Sequence, residues 1–215
     1  MTMPRLLADC PAVLFIVYTP GEDAEAKGYE PWLVRVDNPF FNAIPGVHHY
    51  ANWKLEQVLT GAPLPYGYFD FQGLVAESDL ERVWFNPDLD AFRKEWIRLW
   101  GYGLTKPLPI QTNVYLMRPV RTPSGQPTRF ARVTGGTGAP PAEGDVVWRV
   151  EETIRKHFSI GPAGGPWRVP AAEDNPLGLD WLAVTYGESV EGLVQGYVPR
   201  TESVAFVARL LAAPG

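Results

Sequence analysis

Hydrophobic and polar positions change their period several times along the first half of the chain. PAVLFIVY (11–18) is apolar throughout, β-branched and aromatic, and ends at Thr19-Pro20-Gly21, which predicts a buried strand followed by a turn. In KGYEPWLVRVDN (27–38), Tyr29, Trp32, Leu33 and Val36 fall at i, i+3, i+4 and i+7, which predicts a helix whose continuation Pro39 limits. Past the Pro45-Gly46 turn, VHHYANWKL alternates: Val47, Ala51, Trp53 and Leu55 share one face, and His48, Tyr50, Asn52 and Lys54 the other. GAPLP turns the chain into YGYFDFQGLV, with Phe69 and Phe71 facing away from Tyr66, Tyr68, Asp70 and Gln72. Asp79 and Asp88 are expected to cap a broken or continuous helix that carries Phe92, Trp96, Leu99 and Trp100 and ends at Gly101 and Gly103. TNVYLMRPVR (112–121) is a further strand. The order over residues 11–121 is then β-α-β-β-α-β, the ferredoxin-like split βαβ pattern.

The second half begins with the loop RTPSGQPT, the short strand RFARVT and the loop GGTGAPPAEG. DVVWRVEETIRKHF (145–158) reads as a helix capped by Asp145, with Val147, Val150, Ile154 and Phe158 in register and Glu151–Arg155 and Glu152–Lys156 as i,i+4 pairs. DWLAVTYG (180–187) is a strand, and SVAFVARLLAA (203–213) is a strand or a terminal helix. The fold class expected is α+β: ferredoxin-like units forming an α/β barrel, with residues 1–121 as the first half and 122–215 as a degenerate second half. A single such sheet leaves an apolar face bare, so residues 128–211 are expected to close the barrel within the chain, and a homodimer would add a separate interface.

Composition narrows the function classes. In 215 residues, 46% hydrophobic content is ample for a core, and a formal charge of −5 argues against nucleic-acid and anionic-membrane partners, which require a basic surface. No acid occurs between Trp96 and Pro141, where Arg98, Lys106, Arg118, Arg121, Arg129 and Arg132 stand; these read as solvated edge and loop charges or, less simply, as a pocket for an anion. Cys10 is the only cysteine, so no intrachain disulfide forms. The run at Leu6-Leu7-Ala8 is too short for a signal-peptide core and the longest apolar run has the length of a strand, so the expected location is cytoplasmic.

Three pieces of the chain resemble the RedY-like (HapK-type) family, grouped with EthD-like proteins in the dimeric α/β-barrel superfamily. They are YEPWLVRVDNP, with Tyr29, Glu30, Trp32, Arg35, Val36, Asp37 and Pro39; Ile44-Pro45-Gly46-Val47; and Pro65-Tyr66-x-Tyr68-Phe69-Asp70. The resemblance implies a ferredoxin-like sheet with helices on one face and a second sheet closing a cavity on the other. It also implies a role in the biosynthesis of aromatic pyrrole or indole products, without metal or flavin. This chain departs from that family in carrying about a hundred residues more than one such unit.

If the helices cover Val47, Trp53, Phe69 and Phe71, then His48, Tyr50, Asn52, Tyr66, Tyr68 and Asp70 look into the barrel. His48 would serve there as a general acid or base with its tautomer fixed by Asp70 or a tyrosine, or would be a hydrogen-bonded interior histidine. His49 points to the opposite side, toward the helices or an edge. The two histidines therefore share no metal, and no ligand cluster accompanies them. Arg35 and Asp37 form either an anion anchor at the cavity mouth or a helix-end ion pair or cap. VTGGTGAP imitates a nucleotide-binding glycine loop, but Pro141 stands where the third glycine is needed. Trp84, Trp96, Trp100 and Trp148 read as core residues on helical faces. The function expected is a cofactor-independent enzyme or ligand-handling protein for a small aromatic or polyketide-like compound. The alternatives are a non-catalytic binding or stress-responsive barrel and, last, haem binding through His48 or His49.

Overall fold

A computed structural model describes residues 6–60, 64, 66–101, 112–122, 127–142, 144–154, 168–199 and 202–214. The expected end at Gly103, most of the GAPLP turn, Lys106, part of the RTPSGQPT loop and residues 155–158 of the expected helix lie outside these.

Eight antiparallel strands close into a barrel. They are β1 (Ala12–Tyr18), β2 (Val47–Thr60), β3 (Tyr68–Leu74), β4 (Asn113–Arg121), β5 (Phe130–Gly136), β6 (Val146–Ile154), β8 (Trp181–Gly187) and β9 (Glu202–Ala212). The short β7 (Arg168–Pro170) pairs with the end of β6, past the point where β8 leaves it. The strand order is β4-β1-β3-β2-β9-β5-β8-β6, and β6 pairs back onto β4. Both seams, β2–β9 and β4–β6, join the first half to the second, so the barrel closes within one chain.

Eight strands leave an interior just wide enough for side chains to fill. Phe15, Trp53, Phe69, Phe71, Trp148 and Phe206 fill it, with Phe15 centred 5.5 Å from Phe69 and from Phe71, and Phe71 5.4 Å from Trp148. The expected orientation of the sheet is therefore reversed for Trp53, Phe69 and Phe71, which face the barrel interior and not the helices. Val47 does lie on the helix side, because the β2–β3 register shifts between Val47 and His49.

The helical layer covers the outer face of the first-half strands: α1 (Tyr29–Trp32), a π-helical turn (Leu33–Asp37), α2 (Asn38–Ala43), α3 (Asp79–Trp84) and α4 (Pro87–Trp100). Pro39 does not stop the first of these. A proline inside a regular α-helix lacks a donor and clashes with the carbonyl four residues back; here the turn widens before it, with the Asn38 amide donating to the Leu33 carbonyl. The helix continues to Ala43 and presents Asp37 and Asn38, adjacent in sequence, to the sheet, where both are buried. The second helical stretch is broken, and Asn86 rather than Asp88 caps α4, its side chain accepting from the Asp88 amide at 2.8 Å.

In the second half, DVVWRVEETI is strand β6 and not the expected helix. Val146, Trp148 and Val150 alternate into the barrel and Arg149 points out, a period of two that pairing with β4 and β8 rewards. Asp145 accordingly accepts the Tyr186 amide across to β8 at 2.7 Å instead of capping a helix. Trp148 is core, on a strand. SVAFVARLLAA is strand β9, and a short α5 (Val190–Gln195) precedes it. No helix among the described residues is long and apolar enough to cross a membrane.

Candidate functional site

Polar side chains of β2 and β3 meet those of the helical layer on the outside of the barrel wall. Asn52 stands opposite Asp70 and Tyr50 opposite Gln72 in the β2–β3 register, while Ile16 of β1 flanks Asp70 on its other side. Beyond the last pairing of β9, at Asn52, the edge of β2 is completed by a side chain. The Asn42 amide accepts from the Tyr50 N–H at 2.9 Å and donates to the Tyr50 carbonyl at 3.0 Å, as a neighbouring strand would. Asn38 donates to the same carbonyl and to Asn52 Oδ1, both at 3.0 Å. These contacts fix α2 against β2 and set the direction of the Asn52 amide.

Two carboxyls are buried side by side here, Asp37 and Asp70, each 4% exposed. Asn52 Nδ2 donates to Asp37 Oδ2 at 2.8 Å and to Asp70 Oδ1 at 2.9 Å, which uses both of its protons. Tyr18 donates to Asp70 Oδ1 at 3.2 Å. The Tyr50 hydroxyl lies 2.8 Å from Asp37 Oδ2 and 2.8 Å from Asp70 Oδ2. A phenol has one proton and donates to one acceptor, so the second contact needs a proton from a carboxyl. Without it, lone pairs would face each other between two buried negative charges. The pair therefore holds one proton. Asp37 Oδ2 already accepts from Asn52, and the Asn52 and Tyr18 donors fall on Asp70 Oδ1, so Asp70 Oδ2 is the oxygen left to carry the proton to Tyr50; burial, and then the charge of Asp37, push Asp70 well above the usual carboxylate range in the same direction. The chain of donation runs from the Asp70 carboxyl to Tyr50 and from Tyr50 to the Asp37 carboxylate. Burial likewise raises Tyr18 and Tyr50, so both phenols stay protonated.

Tyr18, Asp37, Tyr50 and Asp70 form one side of a pocket of about 60 Å³. At roughly 10–15 Å³ per water, that is room for a few waters. Its other walls are aromatic, from Phe41 of α2, Trp84 of α3, and Phe92 and Trp96 of α4. Arg93 lines it too, stacked 4.5 Å over the Trp84 ring and donating to the Trp84 carbonyl at 3.2 Å. Burial pulls the guanidinium down to about 10, which leaves it cationic at neutral pH. Gln72 completes the lining; it is 1% exposed, and neither its Nε2 nor its Oε1 has a hydrogen-bond partner among the described residues. An unmatched buried polar group costs about 1–3 kcal/mol, a deficit that water or a ligand in the pocket would remove.

Of the residues expected to form one site, the structure brings together Tyr50, Asn52 and Asp70. Tyr68 lies on the same face but donates to Glu25 at 2.8 Å, in a separate charged group where Lys54 bridges Glu25 and Glu30. Tyr66 belongs to the barrel interior and accepts from Asn113. Arg35 is exposed on the π-helical turn. His48, the extra residue at the β2 bulge, is half-buried with Nε2 unpartnered among the described residues, and it does not line the pocket. His49, opposite Gly73 and 2% exposed, falls on the face of Ala51 and Trp53, the side opposite to the one expected for it. Among the described residues, no three His, Cys, Asp or Glu side chains are grouped to hold a metal ion. Sequence reasoning passed over Tyr18 and Arg93, placed Gln72 on the polar face without counting it in the site, and read Asp37 only as a helix-end or cavity-mouth charge. Comparison with family models, curated proteins and solved structures finds no match for this chain.

Proposed function

We propose that this protein is a cofactor-independent α/β-barrel enzyme that binds a small aromatic or polyketide-like compound between the first-half sheet and its helices and moves one proton on it. The observation that carries this reading is the buried Asp37–Tyr50–Asp70 group at the wall of an aromatic pocket. Acid–base catalysis needs a donor and an acceptor held in fixed protonation states close to the reacting atom. Here Asp37 offers the base and Asp70 the acid, with Tyr50 and Tyr18 as the hydroxyls that reach the cavity, while the aromatic walls exclude water and orient a flat ligand. His48 plays no part in this scheme.

The kinship with RedY-like and EthD-like barrels remains part of the proposal, as does the reading of the chain as two ferredoxin-like units. Strand order supports the latter: β4-β1-β3-β2 in the first half and β9-β5-β8-β6 in the second are both fourth-first-third-second in order of appearance. The second copy keeps α5 before its last strand, and the connection between β5 and β6 contains no helix among its described residues. With the sheets already facing each other inside one chain, a homodimer would use a different surface.

The competing reading, a non-catalytic binding protein, draws on the fact that Asn52 spends both its donor protons within the cluster, as in a structural network. Proton exchange separates the two. Hydroxylated aromatic and β-dicarbonyl compounds are incubated with the protein in D2O and followed by proton NMR. The proposal expects protein-dependent loss of a ligand C–H signal that disappears in Tyr50→Phe and Asp70→Asn. Saturable binding with no exchange in the wild type would assign the protein to the binding class.

A further inference from the structure

Two groups in the pocket are unused by the proton relay, and each specifies one part of a ligand. Arg93 stacks flat on Trp84, which fixes the guanidinium plane, and one N–H is taken by the Trp84 carbonyl. Its remaining donors have no carboxylate within ion-pair distance among the described residues. A stacked guanidinium keeps its edge open, and that edge matches a carboxylate in a two-point, charge-assisted contact. Gln72, by contrast, is neutral and offers a donor and an acceptor together, both without a partner among the described residues and nearly sealed from solvent. A hydroxyl, which donates and accepts through one atom, answers both. The aromatic walls favour a single flat ring as the scaffold joining these groups.

We propose that the ligand is a monocyclic aromatic carboxylic acid bearing a ring hydroxyl, with its carboxylate on Arg93 and its hydroxyl on Gln72. This rests on the acid–base reading above and adds the substrate class. Tyr50 stands directly opposite Gln72 across the β2–β3 pair, and Asp70 is two residues from Gln72 on the same face of β3, so a hydroxyl held by Gln72 lies beside the relay. The acid–base group therefore meets the ring at the phenolic end, away from the anchored carboxylate. Proton transfer there raises electron density at the ring carbons, the requirement for exchange or substitution of a ring hydrogen.

The test is calorimetric titration of the intact protein with the ortho, meta and para monohydroxybenzoates, benzoate and phenol. One hydroxybenzoate isomer is expected to bind about tenfold or more tightly than both benzoate and phenol, the usual worth of one charge-assisted or fully matched polar contact. Arg93→Met should lower hydroxybenzoate affinity by a similar factor and leave phenol unchanged. Gln72→Leu should erase the preference for the hydroxyl and leave benzoate unchanged, with circular dichroism establishing that each variant is folded. The ligand series in the wild type reads the same preferences without any variant. Phenol binding as tightly as every hydroxybenzoate would overturn the acid class while leaving the aromatic pocket of the preceding proposal in place. Binding of no ring compound would overturn both. An unchanged hydroxyl preference in folded Gln72→Leu would overturn the assignment of Gln72.

Discussion

Replacing Asp70 with asparagine separates a neutral acid from a buried carboxylate, because the amide reproduces only the neutral form. In Asp70→Asn the amide N–H donates to Tyr50 as the carboxyl proton does, and the amide oxygen accepts from Asn52 and Tyr18, which lie 2.9 and 3.2 Å from Asp70 Oδ1. At low pH, where the aspartyl side chain is uncharged folded and unfolded, the exchange should change stability by no more than about 1 kcal/mol, the scale of one imperfect hydrogen bond. As pH rises past the unfolded carboxylate value near 3.9, the unfolded wild-type chain releases a proton that the folded one retains. The folded pKa of Asp70 is raised, so the native state binds more protons than the unfolded state, and the wild type loses stability with rising pH until the folded value is passed. Asparagine does not titrate. The stability of Asp70→Asn minus that of wild type should thus climb by about 1.4 kcal/mol per pH unit. Each pH unit between the unfolded value and the raised folded one is thus worth roughly 3–6 °C in melting temperature for a chain of this length. Urea denaturation of both proteins at half-unit steps from pH 4 to 8 measures the difference, and carboxylates held low by cations, such as Glu77 beside Arg118, cancel in it. Parallel stability curves would show that Asp70 is ionised in the fold and would remove the proton from the relay.

Other consequences follow from the barrel and its end. Phe71→Ala opens a void among Phe15, Phe69 and Trp148 and should cost about 3–5 kcal/mol in denaturant unfolding; because Phe71 faces away from the pocket, ring-compound affinity should be unchanged. Gly73→Ala would place a Cβ 2.2 Å from Cys10 Sγ, an overpacking expected to cost about 1–3 kcal/mol, most of it recovered in the double variant with Cys10→Ala. The Cys10 thiol is buried and pushed up to about 12, so Ellman's reagent should label it only at the rate of unfolding; fast labelling of the native protein would contradict its placement.

The first-half strands were legible because period-two segments such as VHHYANW and YFDF cannot bury one face in any other way. Which face went inward was not. A polar face with a histidine suggested a wet cavity inside the barrel, whereas an eight-stranded barrel is filled by its own side chains and the helices bring Asp37, Asn38 and Asn42 to meet the polar face outside it. Asp37 was read as a helix-end or cavity-mouth charge because an aspartate before Asn-Pro reads as a helix end, and the π-helical turn that carries the helix through Pro39 has no sequence signature of its own. Strand β6 was misread because Val147, Val150 and Ile154 satisfy helical spacing as well as Val146, Trp148 and Val150 satisfy alternation. Only the edges of β4 and β8 decide between them, and those are distant in sequence. Gln72 was correctly placed on the polar face of β3, but nothing in the sequence tells that its neighbours there would leave it unpartnered.

A proton resting on one carboxyl of the Asp37–Asp70 pair is the claim on which the functional account stands, and infrared spectroscopy observes it directly. The wild-type protein at neutral pH, minus Asp70→Asn under the same conditions, should show the carbonyl stretch of one protonated carboxylic acid, shifted on transfer to D2O and persisting above the pH at which exposed carboxylates have ionised. A difference spectrum carrying only carboxylate bands would mean that both aspartates are charged, and the acid–base reading of the site would fail.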